Sequence, residues 1–196
     1  MSTRKSIIDF FGNIPDSRRG AGQRHEQSLV LLLVLMSTMS GYLGYRSIGD
    51  FIKRNSEALL ADLQPKKNRL PSFYTIRRVV QGIDFSLVSK AFHKWAMQYV
   101  SLSKQEWVSI DGKAIGGTVT NGNNSHQHFV SLVSLYCSKQ QLVIGNAQVL
   151  NSKESEIPVV KQLIAALDLE GVTFTLDALH CQKKRQKPLS TATMTM

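Results

Sequence analysis

The spacing of apolar residues divides the chain into a front part with helical periodicity and a later part with strand-like runs. The apolar run "LVLLLVLM" predicts a buried helix over residues 28–40, and residues 45–63 and 71–102 carry apolar side chains three or four positions apart. Pro71 followed by Ser72 is typical of a helix start. Residues 1–104 are therefore predicted to be all-helical.

The periodicity changes after Lys104. Four short runs there are rich in β-branched and aromatic residues, and one longer run has helical spacing. The strands are predicted at 107–115, 128–137, 141–150 and 172–176, and the helix at 155–171. Three strands that form a meander, then a crossover helix and a fourth strand, indicate an α/β fold with a mixed sheet. The crossover makes the fourth strand parallel to one of the earlier strands.

Two aspartates each follow an apolar run. Asp111 comes after "WVSI" and Asp177 after "VTFTL", so both would lie at one edge of the sheet if the fourth strand pairs with the first. Carboxylate oxygens are the ligands that Mg²⁺ prefers, and two such ions can activate water for attack on a phosphodiester. An aspartate after a strand also commonly caps a turn, so the spacing by itself leaves both interpretations open.

Charge is distributed unevenly along the chain. The formal net charge is +10, and residues 1–106 hold 16 Lys and Arg against 8 Asp and Glu, whereas residues 107–182 hold 4 against 6. A basic front part favours a polyanionic partner such as DNA; a basic surface that serves only solubility is the alternative. The candidate DNA contacts are Arg18, Arg19, Arg24, Arg77, Arg78 and Lys113. A solvated helix face is the alternative for Arg77 and Arg78, and a solvated strand end for Lys113.

Targeting and metal signals are few. The two cysteines, Cys137 and Cys181, do not form a disulfide framework, and no signal peptide opens the chain, so we expect a cytoplasmic protein. The longest apolar run falls short of the roughly 20 residues that span a bilayer, so no membrane contact is expected. The histidines and cysteines lack zinc-site spacing.

Several separated motifs together resemble a known family. The segments "IPDSRRGAGQRHE", "PSFYTIRRVV", "IDGKAI", "HFVSLVSLY" and "NSKESEIPVVKQLIAALDLEGVTFTLDALHCQK" are similar to the DDE transposases of bacterial insertion sequences, specifically the H-repeat-associated group. The likeness runs from about residue 8 to residue 184. It implies a helical transposase-associated DNA-binding domain at 1–104 and the first part of a ribonuclease H-like catalytic domain at 105–184.

The resemblance also implies a chemistry. Asp111 and Asp177 would be the first two catalytic acids and would bind Mg²⁺, with Mn²⁺ as a substitute, while His128 and His180 would support them from nearby. The substrates would be the ends of the insertion sequence and target DNA, which undergo cleavage and strand transfer.

The chain departs from the family pattern after Asp177. The third acid of the family is a downstream Glu, but the last Glu here is Glu170, and residues 185–196 match nothing and are predicted to be a disordered tail. We therefore expect a truncated, inactive transposase whose fourth strand has an open edge that invites association.

Two alternatives remain. One is a non-catalytic remnant that binds DNA and pairs with itself or with a full-length transposase. The other is an unrelated metal-dependent nuclease that uses Glu154 or Glu156 as a third ligand.

Overall fold

The chain forms two compact units, Met1–Ala91 and Phe92–Met196, in the computed structural model. The structure describes residues 5–100, 106–120, 128–150, 156–167, 172–176 and 194–195. The domain boundary predicted after residue 104 falls within residues 101–105, outside the described residues.

The first unit is helical, as the apolar spacing predicts. Its helices are α1 (Ile7–Gly12), α2 (Gln27–Met39), α3 (Tyr45–Arg54), α4 (Ser56–Leu63), α5 (Phe73–Gly82) and α6 (Phe85–Ala96), with one 3₁₀ turn at Gly20–Gly22. The last five residues of α6 belong to the second unit.

Helix α2 provides the centre of the first core. Val30 and Leu33 are completely buried there, together with Ile76 of α5. Ser37 is buried as well, and its hydroxyl donates a 2.6 Å hydrogen bond to the Leu33 carbonyl, which satisfies the polar group inside the helix. No helix in the described part of the chain is long and apolar enough to cross a membrane.

The single helix predicted over residues 45–63 is two helices. Asn55 interrupts it: its backbone leaves the helical region, at φ −107° and ψ 19°, and its side-chain Nδ2 donates to the Phe51 carbonyl at 2.8 Å. A side-chain amide that competes for a backbone carbonyl in this way favours a helix end over continuation. The apolar stripe continues across the break, which explains why the spacing does not reveal it.

The second unit is a mixed sheet with a crossover helix, which confirms the predicted α/β class. Its elements are β1 (Trp107–Thr120), β2 (His128–Cys137), β3 (Leu142–Leu150), α7 (Glu156–Leu167), β4 (Thr173–Leu176) and β5 (Met194–Thr195). The strand order is β3-β2-β1-β4-β5. The first three strands pair as an antiparallel meander, and β4 pairs with β1 in parallel, as expected.

Strand β4 has a neighbour on its second side. Met194 and Thr195 of β5 pair in parallel with Phe174 and Thr175. The expectation that β4 has an open edge is therefore wrong at these two positions, because backbone groups of β5 take up the pairing.

The core of the second unit lies on one face of the sheet. Val108 and Phe174 are completely buried on β1 and β4, and Val160 and Ile164 of α7 belong to the same cluster. Residues alternate between faces along a strand. Ser109 and Asp111 therefore lie on the opposite face of β1.

Candidate functional site

The parallel pairing of β1 with β4 positions the two predicted acids. The first pair of residues is Trp107 with Thr173, and the fourth and last pair is Ile110 with Leu176. Strand β4 ends at Leu176, whereas β1 continues to Thr120, so Asp111 lies within β1 rather than at a strand end; the residues that follow the last pair are Asp111 and Asp177. Asp177 lies outside the described residues, so the structure describes one of the two acids and the strand that leads to the other.

Asp111 is exposed on the face of the sheet that does not carry the core. Two residues earlier on the same face, a pair of hydroxyls joins the strands: Thr175 Oγ1 donates to Ser109 Oγ at 3.1 Å. The buried side chains of Val108 and Ile110 on the other face hold β1 in this orientation. The strand therefore presents the Asp111 carboxylate to solvent from a fixed backbone.

The donor chemistry at this edge fits a hard divalent cation. Asp111 offers carboxylate oxygens, which Mg²⁺ prefers, and an exposed position leaves room for the water ligands that Mg²⁺ retains. Over the described residues, no three His, Cys, Asp or Glu side chains come together as a metal cluster. A complete site therefore needs a second carboxylate, and Asp177 is the predicted one.

Lys113 and His128 lie at different distances from Asp111. Lys113 is exposed two residues further along the same face of β1. Asp111 is opposite Ser134, whereas His128 begins β2 opposite Thr120. Six residues of strand separate Ser134 from His128, or roughly 20 Å, so the structure does not bring the His128 backbone beside Asp111. His180 lies outside the described residues.

The buried thiol of the second unit is not a reactive group. Cys137 Sγ donates to the carboxylate of buried Glu106 at 3.3 Å. Burial raises the pKa of the Cys137 thiol, and the nearby Glu106 adds to the effect. A protonated, enclosed thiol is a poor nucleophile and a poor metal ligand, so this pair is structural.

Arg18, a predicted DNA contact, instead forms hydrogen bonds within the loop of residues 16–25. Its guanidinium binds both carboxylate oxygens of Asp16, at 2.8 and 2.7 Å, and donates to the carbonyls of Gly22 and His25 at 3.2 and 2.9 Å. The Arg18 side chain is only 8% exposed, and its hydrogen bonds lower the pKa of Asp16. Arg18 therefore fixes the shape of residues 16–25, whereas its neighbour Arg19 is exposed.

Two other predicted contacts, Arg24 and Arg78, share one cavity of about 790 Å³ in the first unit. Three cations that the sequence analysis missed line it with them: Arg46, Lys53 and Arg69. We call this cavity, with its five cations, the basic groove. Arg77 is exposed but does not line it.

A signal for two of the missed residues exists in the sequence. Arg46 and Lys53 are seven positions apart on α3, which places them on one side of that helix. The apolar residues Ile48, Phe51 and Ile52 are buried on the other side. Arg69 gives no comparable signal because it lies between helices.

Comparison with known proteins agrees with this architecture. Residues 8–96 match the family described as DDE_Tnp_1-associated. Over 179 residues the chain is 30% identical to "Putative transposase YncI" of Escherichia coli O157:H7 and 28% identical to "H repeat-associated putative transposase YbfD" of Escherichia coli (strain K12). The matched region covers 91% of this chain, 45% of the first relative and 69% of the second.

The chain is similar to the H-repeat-associated putative transposases over most of its length, and its helical part carries the DDE_Tnp_1-associated match. The transposase-associated match ends at residue 96, the last residue of α6, and so covers all the helices that line the basic groove. The similarity to the relatives extends through most of the chain, but this transposase-related chain spans only about half the length of the first relative.

Proposed function

We propose that this chain takes part in DNA transposition through metal-dependent phosphoryl transfer at the edge formed by β1 and β4. The observation that carries the proposal is the parallel pairing of Ile110 with Leu176, because the next residue in the sequence after each of them is an aspartate. Similarity to putative transposases supports DNA as the substrate, in the form of insertion-sequence ends and target DNA. A DNA substrate also fits the cytoplasmic location predicted from the sequence.

Each residue of this edge has a distinct role in the proposal. Asp111 and Asp177 would hold Mg²⁺ or Mn²⁺ through carboxylate oxygens. The bound ions would supply an activated water and stabilise the oxygen that leaves the phosphodiester. Lys113, exposed on the same face, would contact a DNA phosphate as a point charge. The hydrogen bond from Thr175 to Ser109 joins the two strands two residues before each aspartate.

The test is a nicking assay on a plasmid that carries insertion-sequence ends, with Mg²⁺, with Mn²⁺ and with a chelator. Any metal-dependent nicking by the full chain should fall by about a hundredfold or more in Asp111→Asn, which removes a charged ligand. Asp62→Asn is the matched control, because Asp62 is an exposed aspartate on α4 of the other unit. Measurable nicking at equal rates in the Asp111→Asn variant and the original chain would refute the proposal.

The basic groove favours a second candidate function, a non-catalytic protein that binds DNA and associates with itself or with a full-length transposase. Five exposed cations line a cavity in the unit that does not contain Asp111. Salt-sensitive DNA binding with no nicking under any metal condition would select this candidate. Sedimentation of the chain alone and with a full-length relative would identify the association.

A further inference from the structure

The basic groove combines segments that are distant in sequence. Arg24 comes from the loop before α2, Arg46 and Lys53 from α3, Arg69 from the connection after α4, and Arg78 from α5. One carboxylate, that of Asp50, shares the lining with these five cations. The groove therefore has a strong excess of positive charge.

The five cations remain available to a ligand. All of them are exposed. The ion pairs formed within residues 5–100 join Arg18 to Asp16 and Lys66 to Glu26, and neither uses a cation of the groove. The charge of the groove is therefore not neutralised by the ion pairs of its own unit.

The pKa of His25 is affected by the positive charges of the groove. This residue lines the cavity and is only 8% exposed. Its pKa is lowered, first by burial of the ring away from water and then by Arg69, Arg24, Arg18 and Lys67. Two of these cations, Arg69 and Arg24, belong to the groove, so their fields converge on its lining.

The walls of the groove are held by close packing. A Cβ atom added to Gly49 of α3 would lie 2.9 Å from the Cβ of Phe73 at the start of α5, and both residues line the cavity. Only a glycine allows this approach of α3 to α5. On the remaining side, Arg18 fixes the loop that carries Arg24. The cations are therefore presented from a preformed surface.

We propose that the basic groove binds the phosphodiester backbone of DNA, so that the helical unit anchors the substrate independently of the carboxylate edge. Five cations spread over about 790 Å³ suit a chain of several phosphates better than a single phosphate group, since one phosphate engages only the cations beside it. The choice of DNA among polyanions rests on the proposed function. Arginine, which supplies four of the five cations, binds phosphate oxygens through a planar fork of donors.

The experiment measures the affinity of the full chain for a short labelled DNA duplex by fluorescence anisotropy in a chelating buffer, over a range of salt concentrations. The test variant combines Arg46→Gln, Lys53→Gln and Arg69→Gln. The matched control combines Lys90→Gln, Lys94→Gln and Lys139→Gln, which removes the same charge from exposed positions outside the groove.

The groove variant should bind DNA at least about tenfold more weakly than the original chain. The slope of the logarithm of its association constant against the logarithm of salt concentration should be smaller in magnitude by about 2 to 3, because three phosphate contacts are lost. The control variant should keep the salt dependence of the original chain. Equal losses in the two variants would overturn the proposal, as would displacement of the DNA by polyglutamate at equal charge concentration.

A second variant keeps the proposal testable if the triple variant does not fold. Arg24→Gln with Arg78→Gln removes groove cations from two other segments and should weaken binding in the same direction. Because no divalent metal is present, failure of groove binding is separate from failure of the carboxylate edge. If the original chain nicks DNA and the groove variants bind DNA normally, DNA binding by the basic groove is refuted, whereas the proposed chemistry at the carboxylate edge is not.

Discussion

Thr175 of β4 donates a hydrogen bond of 3.1 Å to Ser109 of β1, between residues that are 66 positions apart. Each hydroxyl comes two residues before an aspartate, Asp177 or Asp111. Residues two apart on a strand share a face. This hydrogen bond therefore joins the strands on the face where Asp111 is exposed, immediately before the proposed metal ligands.

Replacing Thr175 with Val should destabilise the second unit by about 1 kcal/mol, because the substitution keeps the shape of the side chain but removes the donor. Both tryptophans, Trp95 and Trp107, lie in that unit, so tryptophan fluorescence during urea unfolding reports its stability. Ser109→Ala should cost a similar amount. The double variant should cost less than the sum of the two, and strict additivity would show that the pair is not coupled.

Arg18→Ala should destabilise the helical unit by about 1.5–3 kcal/mol, because it removes charge-assisted hydrogen bonds from a nearly buried guanidinium and leaves Asp16 unpaired. Urea unfolding followed by far-ultraviolet circular dichroism measures the effect. The adjacent residue offers the control, since Arg19 is exposed and Arg19→Ala should change stability by less than about 0.5 kcal/mol. Similar losses in both variants would contradict a structural role specific to Arg18.

Gly49→Ala should cost about 1–3 kcal/mol, because the new methyl group would lie 2.9 Å from the Cβ of Phe73 and must push α3 away from α5. Gly82→Ala is the matched substitution at another helical glycine, where the nearest atom, Ser17 Oγ, is at an ordinary distance of 3.7 Å. That variant should be neutral or more stable by up to about 1 kcal/mol. Thermal unfolding of the two variants side by side distinguishes a steric effect from loss of glycine flexibility.

Acidification should weaken the helical unit through His25. Burial, and then Arg69, Arg24, Arg18 and Lys67, lower the pKa of folded His25 below its ordinary value of 6.5, so the unfolded chain takes up a proton more readily. The stability contributed by neutral His25 is therefore fully present above about pH 6.5 and is lost as the pH falls toward the folded pKa.

Urea unfolding midpoints measured from about pH 7.5 to about pH 5.5 test this linkage. His25→Gln, which cannot take up a proton, should flatten the decline over that range. A decline of unchanged steepness in the variant would assign the pH dependence to other groups.

Local pattern was sufficient for most of the fold. The strand that ends at Cys137 has its predicted bounds, and α5 starts after Ser72 as predicted, although the Ser72 side chain makes no capping hydrogen bond. A parallel pairing of β4 could be anticipated because a crossover helix separates it from the meander, but the choice of β1 as its partner does not follow from that helix. Alternation along β1 then places Asp111 on the face opposite the core.

Features that depend on three-dimensional contacts could not be predicted in this way. Arg18 and Arg19 are identical in type and adjacent in sequence, yet only Arg18 meets the carbonyls of Gly22 and His25. The basic groove requires four separate segments to converge, and Arg69 contributes from a connection with no periodicity. Side-chain competition at Asn55 likewise depends on a contact that the apolar stripe does not encode.

The long separation between β1 and β4 has a consequence for the order of folding. The meander of β1, β2 and β3 joins strands that are close in sequence, whereas pairing of Ser109 with Thr175 must close a loop of 66 residues. Loop-closure entropy makes such a contact slow to form. A partly folded chain with the hairpins alone would thus lack the strand that precedes Asp177 in the sequence, and binding of a divalent cation at the proposed site would report the last step in the maturation of this unit.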